Sequence, residues 1–372
     1  MHSPQTSSRN VAIIHYTYPP VIGGVEATMQ AHARVLADNG HFVKIICGAG
    51  ESSNDIDVSV LPELQSLASF DGWLNSELEA GRAPTGFDLL VTRIKKLLRR
   101  ELKAVNTCII HNVMTMHFNL AFTKALGELM EELAGEIQFY LWCHDSSLLN
   151  PAYQKTIPST HEQPWSLISA HHPNAIYVTI STLRQRQLAS LLAVNSSQIL
   201  VIPEGIDVRE FLDIPGNVWR FAQDKGILDA DIVMFFPSRI IPRKNYELGI
   251  NVAHQLKQMN ISCRFIVTAP PDPHNPKTAR YLESLRHMIT GWGLEHNVLL
   301  VSDWKEQYAL NLSHREIKSL YALSDALFLT SRQEGFGIPL LEAGIRKVPI
   351  ICTDIEPFPE IVDGFALRVG PD

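Results

Sequence analysis

The most informative part of the sequence is SRQEGFGIPLLEAG at residues 331–344. It follows a short apolar run and combines two acids, Glu334 and Glu342, with glycines and Pro339 ahead of a helical pattern. Gly337 stands just before the predicted helix, and proline is favoured in a first helical turn. The N–H groups of that turn have no partner inside the helix, so they could receive a phosphate.

The two acids stand on either side of this helix start. Carboxylates accept hydrogen bonds from hydroxyl groups, so Glu334 and Glu342 could hold the two sugars of a nucleotide sugar whose phosphates lie between them. Alternatively, both acids stabilise the positive end of the helix dipole. That second interpretation suits one acid better than a pair accompanied by glycines.

Short apolar runs alternate with helical patterns along the chain. The runs form two series, at 10–16, 41–48, 107–112, 137–144, 175–181 and 198–205, and then at 231–239, 263–270, 297–303, 325–331 and 348–354. Helices are predicted between them, for example at 23–40, 245–259 and 314–324. Short buried strands separated by helices indicate parallel sheets covered on both faces. The sequence therefore predicts an α/β fold with two doubly wound domains.

Two segments interrupt this pattern. The helical and strand periodicity lapses around 207–217, which predicts a domain boundary there. Residues 51–86 begin acidic and are rich in serine and glycine, so we predict an irregular insertion that includes a short helix.

Composition limits the function classes. The 372 residues carry a net charge of −7, which argues against nucleic acid as a partner. Five cysteines lie in or beside apolar runs without C-x-x-C spacing, as expected for reduced, buried thiols of a cytoplasmic protein. The polar N-terminus lacks a signal-peptide core, and no apolar run is long enough to span a membrane.

Ligands of open α/β sheets bind beyond the carboxyl ends of the strands. After the first strand, Gly23 and Gly24 could let a backbone approach a phosphate, although a plain glycine turn explains them equally well. The pattern is not G-x-G-x-x-G, and the second strand does not end in the acid that holds an NAD ribose. A dinucleotide-dependent dehydrogenase is therefore disfavoured.

A cationic cluster follows the first strand of the second series, in SRIIPRKN at 238–245. Arg239, Arg243 and Lys244 would suit a pyrophosphate at this sheet edge. The alternative is a solvated basic turn.

Together these motifs resemble the retaining GT-B glycosyltransferases, and glycosyltransferase family 4 (glycosyl transferases group 1) in particular. The E-x7-E pair Glu334 and Glu342 is similar to the family signature, and GGVE resembles its N-terminal glycine loop. VIPEGID at 201–207 is similar to its V-I-P-N-G-V-D segment, with Glu204 in place of asparagine. SRIIPRKN is similar to its G-R-L-x-x-x-K-G element, with Ser238 and Asn245 in place of glycines.

The resemblance implies two Rossmann-like domains facing an interdomain cleft. Residues 1–210 would bind the acceptor and residues 211–372 the nucleotide sugar. A hexose would pass with retention from a UDP-, GDP- or ADP-hexose to a carbohydrate, polyol or lipid-linked acceptor, with no bound cofactor and no metal. Family members usually continue past LRVGPD with a terminal helix, which this sequence is expected to lack.

The resemblance also implies site residues. Arg239 and Lys244 would bind the diphosphate, Glu342 the ribose and Glu334 the donor hexose. The catalytic set would comprise Glu334, His144, Arg239 and Lys244. Backbone N–H groups near Phe336, Gly337 and Leu341 would meet sugar and phosphate oxygens, and the loop at Gly23 and Gly24 would close on the diphosphate. His144 would line the hexose site, oriented by Asp145, although it could also be a satisfied histidine at a strand end.

For the mechanism we expect front-face attack by the acceptor hydroxyl. A double displacement would need a carboxylate nucleophile about 5 Å from a second acid. The sequence shows no clear candidate for that nucleophile on the acceptor side. The alternatives are an epimerase or phosphorylase of the same architecture, and a non-catalytic sugar-nucleotide-binding protein.

Residues 87–105, FDLLVTRIKKLLRRELKAV, predict a basic amphipathic helix. It could contact an anionic membrane or a phosphorylated acceptor. The alternative is a helix packed on the sheet with a solvated basic face.

Overall fold

A computed structural model describes residues 8–52, 56–268, 277–362 and 364–371. The chain divides between Ile206 and Asp207 into two compact units. Each unit is built on one sheet in which every strand pair is parallel.

The first unit contains a seven-stranded sheet in the order β3-β2-β1-β4-β5-β6-β7. Its strands are β1 (Asn10–Thr17), β2 (Phe42–Ala49), β3 (Asp57–Val60), β4 (Thr107–His111), β5 (Gln138–Cys143), β6 (Ala175–Thr179) and β7 (Ile199–Val201). Its helices are α1 (Gly24–Asp38), α2 (Leu67–Phe70), α3 (Gly72–Glu79), α4 (Gly86–Glu101), α5 (Leu120–Glu132), α6 (Pro151–Gln154) and α7 (Thr182–Leu192). Short 3₁₀ turns occupy Pro62–Leu64, Trp165–Ser169 and Ser196–Gln198.

The second unit contains a six-stranded sheet in the order β10-β9-β8-β11-β12-β13. Its strands are β8 (Ile232–Phe236), β9 (Cys263–Val267), β10 (Val298–Leu300), β11 (Ala326–Leu329), β12 (Ile350–Thr353) and β13 (Leu367–Val369). Its helices are α8 (Val208–Phe211), α9 (Gly216–Asp224), α10 (Tyr246–Gln258), α11 (Lys277–Gly291), α12 (Lys305–Tyr308), α13 (His314–Ala322), α14 (Ile338–Arg346) and α15 (Phe358–Val362). The 3₁₀ turns are Pro242–Lys244 and Val301–Asp303.

Both faces of the first sheet are covered by apolar side chains. In β1, Val11 and Ile13 belong to one buried cluster, whereas Ala12 and Ile14 belong to another. Because successive strand residues point to opposite faces, the sheet is buried on both sides. All five cysteines are free and buried.

Both sheets follow the Rossmann strand order, in which the chain returns to the middle of the sheet and continues in the other direction. The direction reverses between β1 and β4 in the first unit and between β8 and β11 in the second. The predicted fold class is confirmed as two Rossmann-like α/β domains, consistent with the GT-B fold. These two switch points are where such sheets bind ligands.

Several predicted elements differ from the structure. The short helix predicted within 51–86 is confirmed, but the segment is more regular than predicted, because its described residues form the edge strand β3, a 3₁₀ turn and the helices α2 and α3. The strand predicted at 198–205 ends at Val201, and residues 202–206 have no regular structure. The end of the strand predicted at 263–270 lies outside the described residues. Strand β13 was not predicted, because its three residues are too few to give a strand pattern.

The basic helix predicted at 87–105 is α4, which ends at Glu101. Its apolar residues are buried in the core of the first unit, including Phe87, Ile94 and Leu98. Acids from neighbouring segments pair with its cations, since Lys95 contacts Glu128 at 2.7 Å. Arg93 and Arg99 likewise pair with Glu63 and Glu132. The structure therefore favours the helix packed on the sheet.

Two helical glycines of the second unit make a matched test of this packing. A Cβ added to Gly249 in α10 would lie 2.3 Å from the Phe265 ring of β9, whereas a Cβ at Gly344 in α14 would meet nothing within 4 Å. We expect Gly249→Ala to destabilise the unit by about 1–3 kcal/mol through overpacking. Gly344→Ala should stabilise it by about 0.5–1 kcal/mol through helix propensity. Urea denaturation of both variants measures the free energy of unfolding. Equal changes in the two variants would contradict the predicted difference in packing.

Candidate functional site

The switch point of the second unit brings together the loops that follow β8 and β11. Thr330, directly after β11, donates its hydroxyl to the carbonyl oxygens of Lys244 at 3.0 Å and Asn245 at 2.8 Å. The Arg332 N–H donates to the Arg243 carbonyl oxygen at 2.8 Å. These bonds hold the two loops against each other, so residues 90 positions apart share one site.

The centre of this site is an ion pair between Lys244 Nζ and Glu334 Oε1. Ser331 Oγ donates to the same carboxylate oxygen at 2.6 Å. Arg243 Nη1 lies 3.2 Å from Glu334 Oε2 and donates to the Gln333 carbonyl oxygen at 2.7 Å. The side chains of Lys244 and Glu334 are only 11% and 7% exposed. The carboxylate is therefore already held by two cations and a hydroxyl.

Burial lowers the pKa of Lys244, and the hydrogen bond and charge of Glu334 partly oppose that effect. Because the pKa of Lys244 is lowered, the effect of desolvation on that pKa is larger than the opposing effect of the Glu334 carboxylate. Charges interact more strongly where water is excluded. A second anion near Lys244, such as a phosphate oxygen, would favour the charged ammonium and would be bound by it in turn.

Helix α14 begins beside this pair. Its N-cap Gly337 has φ 101°, and a Cβ there would approach the Phe358 ring to 2.7 Å, so glycine is required. No side chain of the described residues caps this helix start. Pro339 has no N–H, and the Leu340 N–H donates to the Gly337 carbonyl oxygen at 2.9 Å, so the groups that the helix start offers to a ligand are the N–H groups of Gly337 and Ile338. Phe336 and Leu341 flank the helix start and are exposed, by 52% and 45%.

Glu342 has different surroundings from Glu334. It lies one turn inside α14 and accepts a hydrogen bond from the Tyr321 hydroxyl of α13 at 2.9 Å. A cavity of about 350 Å³ opens between these two helices, lined by His314, Ile317, Lys318, Tyr321, Glu342, Ile345 and Arg346. Glu342 therefore has one hydroxyl partner, whereas Glu334 is held by cations.

Arg239 is exposed in the loop after β8. Its carbonyl oxygen accepts a hydrogen bond from the buried Tyr246 hydroxyl at 2.7 Å, which fixes the backbone of that loop. The structure thus brings Lys244, Glu334 and the start of α14 to one edge of the second sheet. The predicted residues His144, Gly23 and Gly24 belong to the first unit.

The first unit carries a buried histidine cluster at the carboxyl ends of β1, β4 and β5. His15 Nδ1 lies 2.7 Å from the His111 carbonyl oxygen. His111 Nδ1 lies 2.9 Å from His144 Nε2. His144 Nδ1 is bonded to Glu204 Oε1. Both ring nitrogens of His144 are therefore engaged by protein groups.

The expected role of Asp145 is wrong. Its carboxylate accepts from the Ser146 N–H at 2.8 Å and the Asn150 amide at 3.1 Å, and lies 3.2 Å from Arg184. The carboxylate that orients His144 is Glu204. The side chain of Asp145 points to its own loop because short-range turn partners satisfy it there.

The glycine loop of the first unit is partly covered. Glu26, in the first turn of α1, is bonded to the Thr17 hydroxyl and lies 3.9 Å from His15 Nε2. A Cβ at Gly23 would lie 2.1 Å from Glu26 Oε2, whereas nothing lies within 4 Å of one at Gly24. Space is therefore open beside Gly24, where a phosphate is expected to approach the backbone. Beside Gly23 the Glu26 carboxylate occupies that space.

Sequence reasoning overlooked Glu204, His111 and His15 as members of one cluster. A signal was present, because three apolar strands end in histidine, in AIIHY, CIIHN and LWCHD. Parallel strands bring these ends to the same sheet edge. The position of Glu204, beyond the last strand, gave no comparable signal.

Among the described residues, no group of three or more histidine, cysteine or acidic side chains is placed to hold a metal ion. None of the helices within the described ranges has the length and apolarity that crossing a membrane requires.

Comparison with known proteins finds a family match within the second unit. Residues 217–366 match the family described as Glycosyl transferases group 1. This match covers the Lys244–Glu334 site and both acids of the E-x7-E pair.

Two similar proteins are named as a synthase and as a mannosyltransferase. Mannosylglucosylglycerate synthase of Thermotoga maritima is 23% identical over 366 residues, covering 94% of this chain and 81% of that protein. The O-antigen chain mannosyltransferase RfbU of Salmonella typhimurium is 36% identical over 92 residues, 25% of this chain and 24% of that protein. The solved structure of Anabaena Alr3699/HepE in complex with UDP and glucose aligns over 98% of this chain and 86% of that chain, with 16% identity and a TM-score of 0.35.

The histidine cluster predicts a pH-dependent stability. Burial is the main cause that lowers the pKa of His15 to about 4, and it also lowers the pKa of His111 and His144. An unfolded chain protonates histidine near its ordinary value of about 6.5, before the folded protein does. The stability is therefore fully present above that pH and is lost as the pH falls from about 6.5 towards 4.

Urea denaturation at pH 7.5, 6 and 5 should show the loss directly. His15→Gln should flatten the pH dependence, because it removes one buried group that cannot be protonated in place. The exposed His287 of α11 supplies a control, and His287→Gln should leave the slope unchanged. The same slope in wild type and His15→Gln would contradict the assignment.

Proposed function

We propose that this protein is a retaining glycosyltransferase that moves a hexose from a nucleotide-diphosphate sugar to a hydroxyl acceptor. The observation that carries the proposal is the Lys244–Glu334 pair at the switch point of the second sheet, beside the uncapped start of α14. A cation, free backbone N–H groups and a carboxylate meet there. These are the groups that a diphosphate joined to a sugar needs.

Each group has a role in this proposal. Lys244, the exposed Arg239 and the backbone N–H groups of Gly337 and Ile338 bind the diphosphate. Glu334 accepts hydrogen bonds from hydroxyls of the donor hexose, and Glu342 accepts them from the ribose. The second unit holds the donor, and the first unit, through His144 and the loop at Gly24, serves the acceptor and the transferred sugar.

The chemistry is a front-face displacement. The acceptor oxygen forms a bond to the anomeric carbon while the bond from that carbon to the diphosphate oxygen breaks. The hydroxyl proton passes to the departing phosphate oxygen, and the nucleoside diphosphate leaves. Negative charge grows on the leaving group, and Lys244 and the helix start stabilise it where it develops. In this proposal the protein needs no bound cofactor and no metal.

The names of the relatives guide the choice of substrates. Two of them contain mannosyl, so GDP-mannose joins UDP-glucose and ADP-glucose as donors to be tested. A ligand that binds only the folded protein raises its melting temperature, so a thermal-shift screen selects the donor. Carbohydrates and polyols are the first acceptors to try, with lipid-linked sugars next.

The ion pairs around α4 weaken the prediction of peripheral membrane contact, and the cytoplasmic location stays a prediction.

The diphosphate assignment predicts loss of transfer in the double variant Arg239→Ala with Lys244→Ala. Removing two cations from the leaving group should lower kcat/KM by at least about 100-fold, since one preorganised electrostatic contact is worth that much. The matched control is Arg280→Ala with Lys347→Ala, which removes two exposed cations of the same unit. Transfer near the wild-type rate in a folded Arg239/Lys244 variant would refute the assignment.

The hexose contact predicts a second result. Glu334→Ala should lower the transfer rate by at least about tenfold, because the hydrogen bond strengthens in the transition state. Glu334→Gln keeps the volume and one acceptor oxygen, so it controls for the buried Lys244 left without a partner.

A product assay with donor and acceptor also separates transfer from epimerisation or phosphorolysis. Donor binding without turnover would indicate a non-catalytic sugar-nucleotide-binding protein.

A further inference from the structure

The group of the histidine cluster that is accessible to a ligand is Glu204. Its side chain is 37% exposed, whereas that of His144 is 7% exposed. Glu204 lies in residues 202–206, which follow β7 without regular structure. Of the three hydrogen-bonded groups Glu204, His144 and His111, the carboxylate is the one nearest to solvent.

The hydrogen bonds leave His144 no free ring nitrogen. Nδ1 is bonded to Glu204 Oε1, and Nε2 faces His111 Nδ1 at 2.9 Å. The His144 backbone N–H is also fixed, donating to the Asn112 side-chain oxygen at 3.1 Å. A hydroxyl of a ligand could bond to the His144 ring only if one of these contacts broke.

The protons along this chain follow from the carboxylate. An ionised Glu204 only accepts, so His144 Nδ1 must carry the hydrogen. His144 Nε2 then accepts from His111 Nδ1–H. His111 Nε2 is left as a lone pair, and it is buried and without a partner among the described residues. The reverse order would need a protonated Glu204 and would leave a buried N–H at His111 without an acceptor.

One oxygen of Glu204 is thus bonded to His144, and the other lies on the exposed side chain. A carboxylate fixed in this way is pre-organised to accept a hydroxyl hydrogen bond, because its orientation is paid for within the protein.

We propose that Glu204 binds a hydroxyl of the acceptor, and that His144 is a positioning residue that orients Glu204 and does not touch the substrate. This inference rests on the proposed glycosyl transfer, and it differs from the role predicted for His144, which was to line the hexose site. His111 supports the arrangement from behind by fixing the His144 tautomer.

Transfer kinetics test the proposal with the donor selected by thermal shift and with D-mannose, D-glucose and glycerol as acceptors. Glu204→Gln keeps the shape but removes the charge, so it should raise the KM for the acceptor by about 10–100-fold, the worth of one hydrogen bond to a charged group. Donor hydrolysis by water and donor binding should stay within about twofold, which separates this effect from failure of the donor site. Glu136→Gln, an exposed acid before β5, is the control.

The positioning role of His144 has its own readout. An asparagine amide can reach the place of Nδ1, whereas a glutamine amide reaches that of Nε2. His144→Asn should therefore retain more acceptor affinity than His144→Gln. The reverse order, or an unchanged acceptor KM in Glu204→Gln, would overturn the proposal.

Nuclear magnetic resonance of ¹⁵N-labelled histidines gives a result that does not depend on turnover. His144 should show the Nδ1–H tautomer in the wild type. Saturating D-mannose or D-glucose should shift its ring nitrogens in the wild type and not in Glu204→Gln. An Nε2–H tautomer, or no shift with either sugar, would overturn the proposal even if the protein bound nucleotide sugars as proposed.

Discussion

The buried ion pair between Lys244 and Glu334 is the interaction on which the account of the second unit depends. It joins the loops that follow β8 and β11, the two strands at which the sheet reverses direction. A buried pair of this kind is weak evidence for stability, since the cost of desolvating both charges often offsets their attraction. Its position, where the loops after β8 and β11 meet, is the reason that we propose a diphosphate site there.

The helix start beside this pair is a second feature that suits an anionic ligand. Gly337 takes a backbone conformation that excludes other residues, and the start of α14 carries no capping side chain. A ligand that bonds to these N–H groups would supply the missing partners.

The sequence predicted the strand–helix alternation and the residues at the second switch point, because both depend on local patterns. Apolar runs define strands, and the motif at 331–344 lies directly after one of them. What it could not show were contacts between distant segments. Glu204 lies 60 positions from His144, and no local pattern pairs them. The edge strand β3 was not predicted from the sequence for a related reason. An edge strand needs few apolar residues, so its sequence shows only a weak strand pattern.

The two units contribute differently. The second unit gathers cations, N–H groups and two acids for which the motifs predict roles. The first unit contains a buried polar chain in which each histidine is neutralised by burial and fixed by its neighbour. Such a network gives orientation rather than charge, and the exposed carboxylate at its end is the group that can meet a ligand.

The most direct test of the central claim replaces both members of the ion pair at once, in Lys244→Met with Glu334→Gln. Removing both charges avoids a lone buried ion, so the variant should fold with a free energy of unfolding within about 1–2 kcal/mol of the wild type. Calorimetry with the selected nucleotide sugar should show at least about 100-fold weaker binding, the loss of about 2.7 kcal/mol. Unchanged donor affinity in this folded variant would contradict the claim that the pair is a ligand site.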